Sequence, residues 1–313
     1  MKQTNTAHKT IFLNEAIEAL AIEKDGWYID ATFGAGGHTE LILQNGGKVI
    51  AFDFDDQAIV VGQKKLNQFV AQKKLIFIRE NFSKLKVSLE KVKKTTQIKK
   101  ISGILFDFGT STDQLMNQSR GFSFSGAGEL DMRMDNRLGV KAKDLLALLS
   151  EKQLSDLFFT LGGEKDSRKI AKTIVALRKK GEFITTNQDL ALLIEKIKKF
   201  RGKTHPATKV FQALRIAING ELDNIENALP QALDVMANQA RMVTISFHEG
   251  EDRIAKQTFK KWRQENRGEI ITKKAIMPDA EAVRANPRCR SAKMRIFEKQ
   301  GELRSKRECP GVK

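Results

Sequence analysis

Four short apolar runs in the first third of the chain constrain its fold more than any other feature: Trp27–Ala31, Lys48–Asp53, Leu75–Arg79 and Gly103–Phe108. Each is bounded by charge or glycine, as strands buried on both faces are. Between them lie amphipathic stretches, Thr39–Leu43 closed by Gly46-Gly47, and Asp56–Val70. Strand–helix alternation of this kind predicts a doubly wound parallel sheet, because parallel neighbours need a crossover and a helix supplies it.

From about Lys143 to Met236 the pattern is almost wholly helical. Ser150-x-x-Gln153 is a capping box ahead of Leu154, Leu157 and Phe158. Ile170, Ile174 and Leu177 form the next stripe, and Thr186-x-x-Asp189 precedes Leu190, Leu193 and Ile197. Pro206 is expected to begin a longer helix with Phe211, Leu214, Ile218 and Leu222 on one side. Strand sequence returns at Met242–Ser246, Ile270–Lys273 and Ala292–Phe297, the last two expected to pair antiparallel at the sheet edge. The organisation expected is a sheet domain over 1–114, a helical insertion over 115–215 and completion of the sheet over 216–313.

The 313 residues, 41% hydrophobic and 30% charged, can build a sizeable core. No run reaches the roughly 20 apolar residues of a membrane span. Met1-Lys2-Gln3-Thr4-Asn5-Thr6 lacks the apolar stretch of a signal peptide, and Cys289 and Cys309 have neither a disulfide framework nor metal-ligand spacing. A reduced, cytoplasmic setting with no membrane partner is expected. Fifty-five Lys plus Arg against 38 Asp plus Glu leave a formal +17. Such an excess favours a polyanionic partner, because each phosphate contact releases condensed counterions.

The sharpest local pattern is Tyr28-Ile29-Asp30-Ala31-Thr32-Phe33-Gly34-Ala35-Gly36-Gly37-His38, a strand running through a glycine turn into a helix. Glycines let backbone approach a ligand, and helix N-terminal amides point at bound acceptors. Asp53, at the end of the second strand, is placed to accept from both ribose hydroxyls of a nucleoside cofactor. The dinucleotide fingerprint G-x-G-x-x-G is incomplete here. Asp30 is ill suited to a pyrophosphate but well suited to an amino-acid ammonium. That favours S-adenosylmethionine as cofactor over a nicotinamide dinucleotide. Phe82 after the third strand is a candidate for adenine stacking or for packing, and Asp107 ends the fourth strand at the edge where such sheets place chemistry.

Eight ordered blocks, spread over nearly the whole chain, resemble one family. They are His8–Ala16, Thr32–His38, Arg120–Phe124, Leu130–Asp135, His205–Thr208, Phe211–Ile216, Ile245–His248 and Asn286–Arg295. The family is the bacterial small-subunit ribosomal RNA cytosine-N4 methyltransferases, known as methyltransferase H. The resemblance implies a class I, Rossmann-like S-adenosylmethionine methyltransferase sheet interrupted by an all-helical insertion. It implies donor contacts at Gly36, Gly37, His38, Asp53, Phe82, Asp107 and Gln114, and a 16S ribosomal RNA cytidine, in naked RNA or the 30S subunit, as substrate. Two stretches depart from the family pattern. Thr110-Ser111-Thr112-Asp113 lacks a proline before Gln114, and Glu249-Gly250 replaces Ser-Leu after His248.

Cytosine N4 is a poor nucleophile because its lone pair is delocalised, and a carboxylate, a backbone carbonyl or a hydroxyl that accepts from the amine would favour its nucleophilic form. Asp107 and Ser111 are the catalytic candidates. Arg120, Phe122 and Phe124 interleave charge with rings, which suits either a splayed base or a packed loop. Arg133, Arg288, Arg290, Lys293 and Arg295 are candidate phosphate contacts. None of the four histidines has metal-binding spacing, so no metal is expected. Two other readings stay open from the residues alone: a nicotinamide-dependent oxidoreductase on a similar scaffold, and a non-catalytic RNA-binding protein.

Overall fold

The computed structural model describes residues 10–96, 98–109, 121–124, 128–198 and 204–301. These fall into two compact units, one drawn from Met1–Gly109 with Asp223–Lys313 and the other from Thr110–Leu222.

The first unit is a seven-stranded sheet: β1 Trp27–Asp30, β2 Lys48–Asp53, β3 Leu75–Arg79, β4 Ile101–Asp107, β5 Met236–Ser246, β6 Gly268–Ile270 and β7 Lys293–Lys299. Their order is β3-β2-β1-β4-β5-β7-β6. Neighbours from β3 through β5 are parallel, with Tyr28 against Val49 on one side and Gly103 on the other. β7 runs antiparallel between β5 and β6, pairing Thr244 with Arg295 and Glu269 with Glu298. The antiparallel pairing expected of the last two strands is present, and β7 rather than β6 joins the parallel set.

Period-two alternation divides the strands' side chains between two cores. Ile29, Ile50, Phe52, Ile104, Phe106 and Met242 pack with Leu85, Leu89, Leu229, Leu233, Phe259 and Trp262. Tyr28, Val49, Ala51, Leu105, Val243 and Ile245 pack with Ala16, Leu20, Ile42 and Leu43. Each strand is therefore sandwiched between helices, which is why it reads as a continuous apolar run. Among the described residues no helix is long and apolar enough to cross a membrane.

Several boundaries differ from expectation, and β6 lies at Gly268–Ile270 rather than Ile270–Lys273. β5 starts at Met236, six residues early, because its first half carries the exposed Asn238 and Gln239 and pairs with β4 through a register shift at Ile101/Gly103. The stretch Asp56–Val70 forms two helices, Asp56–Lys65 and Asn67–Ala71. The helix expected from Pro206 begins at Thr208 and stops at Gly220, whose φ of 56° ends it, so Leu222 belongs to the next helix, Glu221–Val235.

The second unit is helical: Ala142–Leu148, Glu151–Gly162, Ser167–Lys179, Asn187–Ile197 and Thr208–Asn219. Both arms of the capping box at Ser150 and Gln153 are made, and Thr186 accepts from the Asp189 amide. Leu154, Phe158, Ile170, Ile174, Leu190, Ile194 and Leu214 are buried, so the helical stripes are core, as their spacing implies.

Phe297 lies between Phe259 and Trp262, at 5.2 and 5.3 Å between ring centroids. Phe297→Ala should cost about 3–5 kcal/mol, read as a lower urea midpoint at unchanged slope.

Candidate active site

In an open α/β sheet, loops diverge where strand order reverses, here between β1 and β4, and ligands bind at the carboxyl ends beside that point. Asp30, Asp53 and Asp107 end β1, β2 and β4. Hydrogen bonds stitch these ends together. The Gly34 amide donates to Asp53 Oδ2 at 2.9 Å, and the Asp55 amide donates to Oδ1 at 2.8 Å. The Asp107 amide donates to Thr32 Oγ1 at 2.7 Å, tying β4 to the turn after β1.

The turn itself requires glycine at two places. Gly36 has φ of 78°, and a Cβ there would stand 2.6 Å from the Phe33 ring, which packs edge-on against Phe77. A Cβ on Gly37 would run into the Thr10 hydroxyl. Gly37 and His38 then open the helix Gly37–Gln44.

Asp30 is tied into the turn that follows its strand. It is 1% exposed, and its oxygens accept from the Thr39 hydroxyl at 2.7 Å and the Thr32 amide at 3.1 Å. The carboxylate clamps the glycine turn to the first turn of its helix.

Asp107 is the least satisfied of the three. Its Oδ1 is buried with no hydrogen-bond partner among the described residues, and its Oδ2 lies 3.9 Å from His38 Nδ1. Burial first, then the negative charges of Asp30 and Glu251, pushes its carboxyl well above the ordinary range. Burial also raises Asp30, and raises Asp53 to about 6 against the pull of the Asp55 and Gly34 amides. His38, 4% exposed, is lowered by burial to about 4, and its Nε2 is also unpartnered.

Glu251 is the residue that sequence reading missed. It is 1% exposed, and its Oε2 accepts from the Phe247 and His248 amides at 2.7 and 3.1 Å, folding the loop after β5. His248 Nδ1 accepts from the Gly250 amide, completing a capping box for the helix Glu249–Gln264. The spacing His248-x-x-Glu251 is the signal that would have found it.

Phe82 sits in a short 3₁₀ turn against Phe106 and Phe108, at 5.7 and 6.1 Å, partly buried. Ser111, Gln114, Arg120 and the Arg288 side chain lie outside the described residues. Phe122 is buried, and Phe124 stacks on His205 at 4.5 Å and meets Phe211 edge-on, so these rings are spent on packing. Arg133 is bound to Asp131 at 2.6 and 2.8 Å and to the Asn136 and Leu138 carbonyls. Lys293 and Arg295 pair with Asp252. Arg290 is exposed.

A parallel sheet in this order, with an antiparallel strand inserted before its last, and a glycine turn held between acids at the reversal, defines the class I, Rossmann-like S-adenosylmethionine methyltransferase fold. The family model described as the MraW methylase family matches residues 5–300, and the chain belongs to that family. It is 40% identical over 294 residues to the ribosomal RNA small subunit methyltransferase H of Coprothermobacter proteolyticus, covering 93% of this chain and 96% of that protein. The protein of the same name from Shewanella baltica is 41% identical over 316 residues, covering 94% and 97%.

Two of these perturbed groups, Asp53 and His38, act on stability with opposite signs. Asp53, raised, favours the folded state at low pH, an effect lost as pH rises through about 6. His38, lowered, must stay neutral when folded, so stability is lost as pH falls from its ordinary range towards about 4. An NMR titration of the imidazole carbons should place the His38 midpoint near 4; a midpoint at the ordinary histidine value would contradict its burial.

Proposed function

We propose that this protein transfers the methyl group of S-adenosylmethionine to the exocyclic N4 of a cytidine in the decoding region of 16S ribosomal RNA. The observation that carries this reading is the family match along nearly the whole chain, whose relatives are named for ribosomal RNA methylation. Both the RNA and the assembled 30S subunit are candidate partners, in the cytoplasm. The formal charge of +17 supports a polyanionic substrate, with RNA contacts assigned to the helical segment and the basic C-terminal part.

The donor set fits a cationic nucleoside. Among the described residues no Lys or Arg pairs with Asp53 or Asp107, which disfavours a pyrophosphate there and suits a ligand carrying sulfonium and ammonium charge. Asp53 keeps lone pairs beyond the two amide bonds it accepts, enough for ribose hydroxyls. The Gly36-Gly37 backbone is assigned to the methionine end, His38 to the floor beside it, and Phe82 and Gln114 to the adenosine. When bound, S-adenosylmethionine supplies a methyl carbon already activated by the sulfonium.

Positioning does most of the work in such a displacement. Asp107, with Oδ1 unpartnered among the described residues, accepts a hydrogen bond from the N4 amine and localises its lone pair, then takes the proton that N4 loses. Ser111 is assigned a second acceptor at the same amine. Asp107→Ala should lower turnover at saturating donor by about 100-fold or more; normal turnover would remove Asp107 from the mechanism. Nucleoside mass spectrometry of small-subunit RNA from cells lacking the gene should show loss of N4-methylated cytidine. An unchanged profile would refute the target.

A further inference from the structure

Three groups face Asp107 from the elements around it. Asp30 comes from β1, His38 from the helix Gly37–Gln44 and Glu251 from the helix Glu249–Gln264. Two of the three are acids. His38, the base among them, is 4% exposed, leaves Nε2 without a partner among the described residues, and is held neutral by its burial. An ionised Asp107, its side chain 23% exposed, would therefore hold one buried oxygen with no partner among the described residues, beside negative charge. Like charges held close do not all ionise together. A fixed positive charge brought to the same place reverses that balance.

We propose that donor binding arms this site: Asp107 carries a proton in the free protein and releases it to solvent when a sulfonium is placed beside it. The inference rests on the donor reading above. The released proton leaves the carboxylate that accepts from the N4 amine, so the acceptor becomes competent only with the donor in place. The demethylated product, whose sulfur is a neutral thioether, lacks the charge that holds Asp107 ionised. Donor and product share every other group, including the ammonium and carboxylate of the methionine end, so the site tells them apart by one charge at one carboxylate.

Calorimetric titration in buffers of different ionisation enthalpy counts the protons exchanged on binding. The probes are S-adenosylmethionine, sinefungin, whose amine replaces the sulfonium, and S-adenosylhomocysteine, titrated near neutral pH into the whole chain. The two cationic ligands should release up to about one proton more than S-adenosylhomocysteine. Equal counts for all three would overturn the proposal while leaving the donor site standing. Absence of binding by all three would overturn the donor reading and this inference with it. Glu251→Gln keeps an acceptor for the Phe247 and His248 amides but removes the charge beside Asp107, and should shrink the difference in proton count. A full difference in that variant would contradict the role given to the surrounding acids.

Discussion

Carboxylates drawn together at the ends of adjacent parallel strands, Asp30 buried and Asp53 and Asp107 partly so, are the constraint on which the site depends. Burying an ionised carboxylate costs several kcal/mol unless something replaces its hydration. Asp53 recovers part of that from the Gly34 and Asp55 amides, and Asp30 from Thr39 and Thr32. These bonds also fix the glycine turn, because the groups that satisfy the acids are the backbone and side chains of the turn itself. Asp107 recovers nothing comparable from the described residues, and is the place where a cation gains most.

The fold tolerates this arrangement because the strands beneath it are fully packed. Ile29, Ile50, Ile104 and Phe106 are wholly buried one or more residues before the acids, so the strand ends are rigid where the charges begin. Two scales of electrostatics then coexist. A net charge of +17 acts over the surface and is screened beyond about 10 Å at ordinary salt, whereas the acid cluster acts within a few ångströms in a desolvated setting. The first suits a polyanion and the second a cationic nucleoside, and they do not conflict because they act at different ranges.

Much of this was legible in the sequence. The first four strands were found to within two residues because a strand buried on both faces is an apolar run that ends abruptly, and the glycines and acids that close those runs are the site residues themselves. Partners were less legible than positions. The position of Asp30 is legible, but spacing cannot show that Thr39, on the following helix, reaches back to it. Phe122 and Phe124 looked equally suited to bases and to packing, and the stack on His205 comes from a residue 81 positions away (205 minus 124) that no local pattern connects. Glu251 was passed over as part of a divergent loop, although its burial beside Asp107 makes it part of the site's charge balance.

The most direct test is a crystal structure of the protein with sinefungin. The account predicts ribose hydroxyls on Asp53, the amino-acid end over Gly36 and Gly37, and the amine that replaces the sulfonium beside Asp107. A ligand bound elsewhere, or one whose amine points away from Asp107, would contradict it.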